Sequence, residues 1–313
     1  MDAVQARNEA LGLLRERTLS LPFPSFVYAE PTNACPLACV MCPRDQSPRP
    51  VGFMDFALFK SLADACAEEG PPDLLILHKD GEPLLHPRLP EMIAYAKERK
   101  AAGRVSFSTS ATGLTRDLAG ELVKSGLDWI DIAIDGATEA TYASTRVRGD
   151  FHQVEENVRT LHAVRERMGS ATPHINLRIV RMEPVIQETE AFRTRWAPLA
   201  DSVEPREFKT WAGRYPESLR HPQDRRPAAR TPCFSPFTAL AVNWDGDVSI
   251  CSVDWAKRGI VGNANRESLA EIWRGKALEE ARQAHREGRF GEAPPCGTCR
   301  DWQPFDGFWD KPL

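Results

Sequence analysis

Between Ser25 and Lys209 the chain alternates short apolar runs with longer stretches in which apolar residues recur every three or four positions. The short runs predict strands at residues 25–30, 74–77, 105–109, 129–134, 175–182 and 203–209. The periodic stretches predict helices over 55–69, 89–98, 115–125, 151–168 and 186–199. The helix after Asp150 is the plainest, with Val154, Val158, Leu161 and Val164 on one stripe. Repeated strand–helix units imply a parallel sheet with crossover helices. Six units are too few for an eight-fold barrel. The expected fold class is α/β, a partial (βα)6 barrel over residues 25–212.

The pattern then changes. Residues 213–230 are rich in Pro and Arg and read as a solvated linker. Two apolar runs, 238–242 and 247–251, flank Asn243-Trp-Asp-Gly246, and Asp-Gly between such runs signals a hairpin. A helix is expected at 268–287. Residues 231–313 therefore read as a small C-terminal unit of β-hairpin plus helix. Its Trp/Phe-rich end, from Asp301 to Leu313, is either a cap over the barrel mouth or a packing strap. At the other end, residues 1–24 read as a polar amphipathic helix.

Composition narrows the picture. The 313 residues are 42% hydrophobic and 27% charged, ordinary for a globular chain long enough to bury a large core. A formal net charge of −4 gives no reason to expect nucleic acid as a partner. No run approaches the ~20 apolar residues that span a bilayer, and the first residues lack the apolar core of a secretory signal. The expectation is a cytoplasmic protein with no membrane partner.

The eight cysteines change the picture most. In a cytosolic chain, three of them within eight residues and a close pair near the end argue for ligation of metal rather than disulfides. Cys35, Cys39 and Cys42 form CxxxCxxC on the loop after the first strand. Three thiolates there can hold three irons of a [4Fe–4S] cube and leave the fourth open, as a catalytic metal site requires. The end of a strand is also where ligand sites form on α/β folds. A zinc ion would want a fourth ligand nearby, and no other Cys or His lies close in sequence.

CxxxCxxC after the first strand of a partial barrel resembles the radical S-adenosylmethionine (SAM) superfamily. The resemblance implies a [4Fe–4S] cluster whose open iron chelates SAM, reductive cleavage to a 5′-deoxyadenosyl radical, and removal of a hydrogen atom from substrate. It also implies roles for further residues. Met41 matches the apolar position near the adenine. Asp80, Gly81 and Glu82 stand where relatives carry the Gly-Gly-Glu that meets the methionyl amino group, with Asp80 replacing the first glycine. Thr109 and Ser110 begin Thr-Ser-Ala where relatives carry Thr-Asn-Gly. Asp135 lies in Ala-Ile-Asp-Gly, similar to a Ser-x-Asp-Gly ribose contact without its serine. Arg146 matches a basic residue directed at the methionyl carboxylate. A flavodoxin- or ferredoxin-type electron donor is implied as a partner.

Cys233 and Cys251 bracket the hairpin with 17 residues between them, and Cys296-Gly-Thr-Cys299 follows after 44 more. Four cysteines can fully ligate a second cube, or a structural zinc ion. The segment from Thr231 to Trp302 resembles the SPASM/Twitch extension of radical enzymes. Four cysteines, where the SPASM form has seven, imply one auxiliary [4Fe–4S] cluster with an electron-passing role. Cys66 falls on the apolar stripe of the first helix with Phe59 and Leu62. It reads as a core residue, the alternative being a hydrogen-donating thiol in an epimerase.

Within this resemblance, an aminocyclitol or sugar dehydrogenase of the kind used in aminoglycoside antibiotic biosynthesis fits one radical cluster plus one auxiliary cluster. The reaction would turn a secondary alcohol of a small aminocyclitol or amino sugar into a ketone. The alternatives are a ribosomal-peptide maturase and a radical sugar epimerase. His78, Arg178 and Tyr215 are the candidate general bases.

Overall fold

The fifth strand, His-Ile-Asn-Leu-Arg-Ile-Val-Arg, sorts its residues by parity. Ile175, Leu177 and Ile179 are buried against the helices, while His174, Asn176 and Arg178 point to the other face. Ile130 and Ile132 do the same on the fourth strand, and Val105 and Phe107 on the third. A parallel sheet sandwiched between two helical layers would read as continuous apolar runs. The alternation here means that one face meets helices and the other lines a polar lumen.

The computed structural model describes residues 20–183, 185–225 and 229–302. Its strands are β1 (Phe26–Ala29), β2 (Leu74–Ile76), β3 (Arg104–Thr109), β4 (Trp129–Ala133), β5 (His174–Arg181), β6 (Ser202–Glu207), β7 (Ala239–Val242), β8 (Asp247–Ser249) and β9 (Ile260–Asn263). The helices are α1 (Phe56–Glu69), α2 (Leu89–Glu98), α3 (Arg116–Lys124), α4 (Glu139–Thr145), α5 (Phe151–Arg167), α6 (Thr189–Trp196), α7 (Leu269–Arg274) and α8 (Lys276–Arg286), with Ser235–Thr238 a single turn. One sheet holds all nine strands in the order β6-β5-β4-β3-β2-β1-β7-β8-β9. The first seven are mutually parallel and the last two antiparallel. The α/β class and the partial, unclosed barrel with a C-terminal strand-and-helix unit are as expected.

The sheet is open at β6, where Pro205 is tolerated because an edge strand needs no donor on its free side. It is strongly curled all the same. Six flat strands at ~4.8 Å spacing would separate β1 from β6 by ~24 Å. Yet Trp211 Nε1, four residues past β6, donates to the Met41 carbonyl on the loop after β1 at 2.7 Å. The polar face is therefore concave.

Caps end the helices as the residue types dictate. Asp55, Thr115, Thr138 and Asp150 each accept a first-turn amide proton, and Ser268 and Glu271 close a capping box.

Several expectations change. The hairpin does not stand apart: β7 pairs with β1, so the C-terminal unit extends the same sheet. The helix expected at 268–287 is two helices broken at Gly275. That expected at 186–199 is α6 between short 3-10 turns, Pro198 ending it. Residues 213–225 are mostly exposed, as a solvated linker would be, but the stretch is pinned to the body. Arg220 is buried, pairing with Asp301 at 2.5 Å and with Glu207. Most of the expected N-terminal helix and the tail beyond Trp302 lie outside the described residues. No described helix is long and apolar enough to cross a membrane.

Candidate active site

The loop after β1 carries Cys35, Cys39 and Cys42 and is held on every side. Thr32 Oγ1 donates to the Gly52 carbonyl (2.6 Å), and Asn33 exchanges bonds with Pro50 and Gly52. The amides of Ala38 and Val40 donate to Val147 and Thr145 carbonyls (3.0 and 3.1 Å), tying the loop to the end of α4. Below it, the Glu82 amide donates to the Ala34 carbonyl at 2.7 Å. Gly81 explains this approach: a Cβ there would lie 2.7 Å from both the Ala34 oxygen and the Asn33 Cα, and closer still to the Thr32 oxygen. The departure from two glycines is tolerated because Asp80 points elsewhere, accepting from Arg49 (2.7 Å) and Lys79 (2.5 Å). Arg49 also pairs with buried Glu30.

Glu82 is buried on the loop beyond β2, and both oxygens of its carboxylate accept hydrogen bonds from the end of β3. Thr109 Oγ1 donates to one oxygen (2.6 Å). The Ser110 amide and hydroxyl donate to the other (2.7 and 2.6 Å). The glutamate thus staples the β2 and β3 ends beneath the cysteine loop. Asp135 has positive φ (58°) at the end of β4, accepts from the Val180 amide (2.7 Å) and pairs with Arg146. Arg146 in turn donates to Cys39 Sγ at 3.5 Å. The Cys loop, Met41, Asp80–Glu82, Thr109–Ser110 and Asp135–Arg146 are thus all gathered at the C-terminal ends of β1 to β4.

All eight cysteines are free thiols. Burial pushes Cys35 up to about 11, with Glu82 and Cys39 adding to it, and Cys42 up to about 12, with Cys39, Asp80 and Cys35 adding. A desolvated, mutually repelling thiol set needs cations to ionise, and iron supplies them. The Arg146 Nε and the Tyr142 hydroxyl are buried with no hydrogen-bond partner in the described structure. The site therefore has free donor capacity for an anionic group beside Cys39, as a SAM carboxylate would provide.

The second set converges too. Burial and the charges of Cys233 and its neighbours raise Cys251 to about 11. Burial, Asp301, Cys251 and Cys233 raise Cys299 to about 12, and Cys296 is higher still. Arg230 donates to the carbonyls of Cys296 and Cys299 and lies 4.1 Å over the Phe290 ring. His285 Nδ1 accepts the Cys233 amide proton (3.3 Å), so that nitrogen is not offered to a metal. Burial, then the Arg230 charge, bring His285 down to about 4. Cys296 lies within reach of the charges of Cys251, Cys233 and Cys299, and four thiols fit a fully ligated cluster, each at a separate corner of the cube.

Residues 210–213 join the two sites. Trp211 Nε1 donates to the Met41 carbonyl (2.7 Å), and Trp255 Nε1 to the Trp211 carbonyl (3.2 Å). Asp301 accepts the Thr210 and Ala212 amides (2.7 and 2.9 Å), and its own amide donates to Cys299 Sγ (3.2 Å). Trp211, Ala212 and Gly213 all have positive φ (52°, 56° and 86°); glycine adopts this freely, while at Trp211 and Ala212 it is strain that the surrounding bonds hold in place.

The lumen was only partly anticipated. Asp131 accepts from Trp129 (2.8 Å) and Asn176 (2.9 Å) and pairs with Arg178 at 2.5 Å. Burial and then Arg206 lower Arg178 to about 10, which leaves it a cation and removes it as a base. Tyr215 is half-buried against Phe208, and burial raises its phenol. Cys66 packs in the helix–sheet core, where burial lifts it to about 12, a poor place for a hydrogen donor. Sequence reasoning missed Tyr28, Asp131, Asn176, Glu204 and Arg206; the polar alternation of a parallel strand was the available signal.

Comparison with known proteins agrees with these sites. The description "Radical SAM superfamily" matches residues 29–175, and "Iron-sulfur cluster-binding domain" (SPASM) matches residues 233–300. The chain is 28% identical over 155 residues to the tungsten-containing aldehyde ferredoxin oxidoreductase cofactor-modifying protein of Pyrococcus furiosus, covering 50% of this chain and 43% of that protein. The curated relatives matched first are thus spanned over less than half their length. The SAM-dependent 2-deoxy-scyllo-inosamine dehydrogenase of Niallia circulans is 20% identical, over 88% of this chain and 93% of that one. Among solved structures, BtrN in complex with AdoMet and 2-DOIA superposes with a TM-score of 0.63 at 19% identity, covering 89% of this chain and 94% of that one. Streptococcus suis SuiB bound to precursor peptide SuiA gives 0.68 at 12% identity, covering 96% and 76%. At these identities the structures show a shared fold.

Proposed function

We propose that this chain, which belongs to the radical SAM superfamily through residues 29–175 and carries an SPASM iron–sulfur cluster-binding domain over residues 233–300, oxidises a secondary alcohol of a small polyhydroxylated substrate, an aminocyclitol or amino sugar, to a ketone. The observation that carries the reading is the pairing of a three-thiol loop, one ligand short of a closed cube, with a second set of four neighbouring thiols in the same chain.

When bound, a [4Fe–4S] cluster with SAM at Cys35, Cys39 and Cys42 would supply radical-generating reductive cleavage, and one at Cys233, Cys251, Cys296 and Cys299 a one-electron acceptor. The chain's own residues do the rest. Arg146 offers a free Nε beside Cys39 to a carboxylate, and Asp135 fixes its guanidinium. Glu82 holds Thr109 and Ser110 in place below the loop. Glu204, whose Oε2 accepts from Asn176 at 3.2 Å, gives the lumen a carboxylate suited to an ammonium. Cys66 in the core leaves no thiol positioned for epimerisation.

The test is anaerobic reconstitution, then incubation with SAM, dithionite and 2-deoxy-scyllo-inosamine or related aminocyclitols and amino sugars. Formation of 5′-deoxyadenosine with a product lighter by two hydrogen atoms supports the reading. Turnover of a cysteine-containing precursor peptide alone would replace it with the maturase reading, and product of unchanged mass with the epimerase.

A further inference from the structure

His78 follows β2 on the lumen side, opposite in parity to the core residue Leu77. Its Nε2 lies 3.1 Å from the Gly81 carbonyl oxygen. A carbonyl can only accept, so Nε2 carries the proton and Nδ1 keeps its lone pair. Nδ1 makes no hydrogen bond to any described residue. The same Gly81 packs its Cα against the cysteine loop, so one residue both admits the three-thiol site and orients the imidazole next to it.

The other titratable groups of the lumen are spoken for. Asp131 is saturated by Trp129, Asn176 and Arg178. Arg178 and Arg206 are cations. Tyr28 is protonated at neutral pH, burial and then Cys251 raising its phenol. Asp80 and Glu82 are bound by Arg49, Lys79, Thr109 and Ser110. Glu204 keeps one carboxylate oxygen free, but a carboxylate is a weaker base than imidazole.

We infer that His78 Nδ1 is the general base that takes the hydroxyl proton from the substrate, an assignment resting on the alcohol-oxidation reading above. The balance would be complete with both groups bound. The carbinol carbon would give up its hydrogen atom to the radical that SAM cleavage supplies, and His78 Nδ1 would take the hydroxyl proton. The one remaining electron would leave to an iron–sulfur acceptor as the C=O π bond forms. The groups facing His78 are Glu82 and Asp80 from its own loop and Asp131 from β4. Desolvation outweighs their charges and holds its pKa below the ordinary value, so the base is free across neutral pH.

The experiment compares wild type with His78→Gln, whose amide can still donate to the Gly81 carbonyl. With carbinol-deuterated 2-deoxy-scyllo-inosamine, His78→Gln should keep its iron and still move deuterium into 5′-deoxyadenosine, while ketone formation falls about 10²–10⁴-fold. The acid limb of the wild-type pH profile, lying below ~6.5, should vanish. Ketone formation within a few-fold of wild type, or an acid limb that persists in His78→Gln and vanishes in Glu204→Gln, would overturn the assignment. If wild type turns over no aminocyclitol, the substrate reading fails, and His78 is judged separately by ¹⁵N-histidine NMR of the reconstituted protein. A neutral Nε2–H tautomer at pH 7 is expected. An imidazolium or an Nδ1–H tautomer would sink the proposal.

Discussion

Gly81→Ala is the smallest change that should unseat the three-thiol site. The added methyl would meet the Ala34 oxygen and the Asn33 Cα at 2.7 Å, where ordinary contact begins at 3.4 Å. These are backbone atoms and cannot swing aside. The loop after β2 must retreat, stretching the 2.7 Å bond from the Glu82 amide to Ala34. Overpacking of this kind costs about 1–3 kcal/mol, and a weakened backbone hydrogen bond about 1 more. The reduced entropy of the unfolded chain returns about 0.4–1. The net is about 2 kcal/mol of destabilisation, a melting shift of about 2–4 °C per kcal/mol. Misplacement on the scale of 1 Å near the reacting atoms can cost ~10²-fold in rate, so SAM cleavage should suffer more than folding. Gly113→Ala is the control. Its nearest neighbour, the Leu84 Cβ, is 3.9 Å away, so it should melt at or slightly above wild type. The assays are thermal melting of the reconstituted proteins and 5′-deoxyadenosine formation under dithionite. A Gly81→Ala protein with wild-type melting and cleavage would refute the reasoning.

Other substitutions test other contacts. Arg220→Met leaves Asp301 and Glu207 short of their buried cation and should cost about 3–5 kcal/mol, read by urea denaturation; a loss under 1 kcal/mol would contradict the burial of that pair. Thr109→Val with Ser110→Ala strips two hydroxyl donors from buried Glu82 and should destabilise by about 1–3 kcal/mol per unmet bond, with a fall in SAM affinity measured by equilibrium binding. Asp201, its pKa lowered because the Arg165 and Ile175 hydrogen bonds outweigh burial, contributes stability above the ordinary carboxylate pKa of ~3.9 and loses it as pH falls toward its folded value. Asp201→Asn should therefore narrow the gap between melting points at pH 6 and pH 3, and an unchanged gap would exclude the contribution.

The outward half of the barrel was legible because it obeys simple periodicities. The apolar stripe of α5 falls where the pattern puts it, with Val154, Val158, Leu161 and Val164 all buried. The cysteines were legible by spacing. What could not be read depends on pairings between distant segments. Nothing in Ala239–Val242 says that it joins β1, and nothing in the Arg-rich stretch says that Arg220 finds Asp301, 81 residues on. The motif around Glu82 was legible, but not that three donors from Thr109 and Ser110 would hold its carboxylate. Lumen residues such as Asp131 and Glu204 were hidden because a polar residue in a strand reads as solvent-facing until the sheet curls.

The central claim is that Cys35, Cys39 and Cys42 hold a SAM-cleaving cluster while Cys233, Cys251, Cys296 and Cys299 hold a second. It is tested most directly by assaying 5′-deoxyadenosine and iron in anaerobically reconstituted wild type and the Cys35→Ala, Cys39→Ala, Cys42→Ala triple variant. The account predicts about eight irons falling to about four, taking four per cube, with 5′-deoxyadenosine formation abolished. An unchanged iron content in the triple variant, or intact SAM with fully loaded wild type, would contradict it.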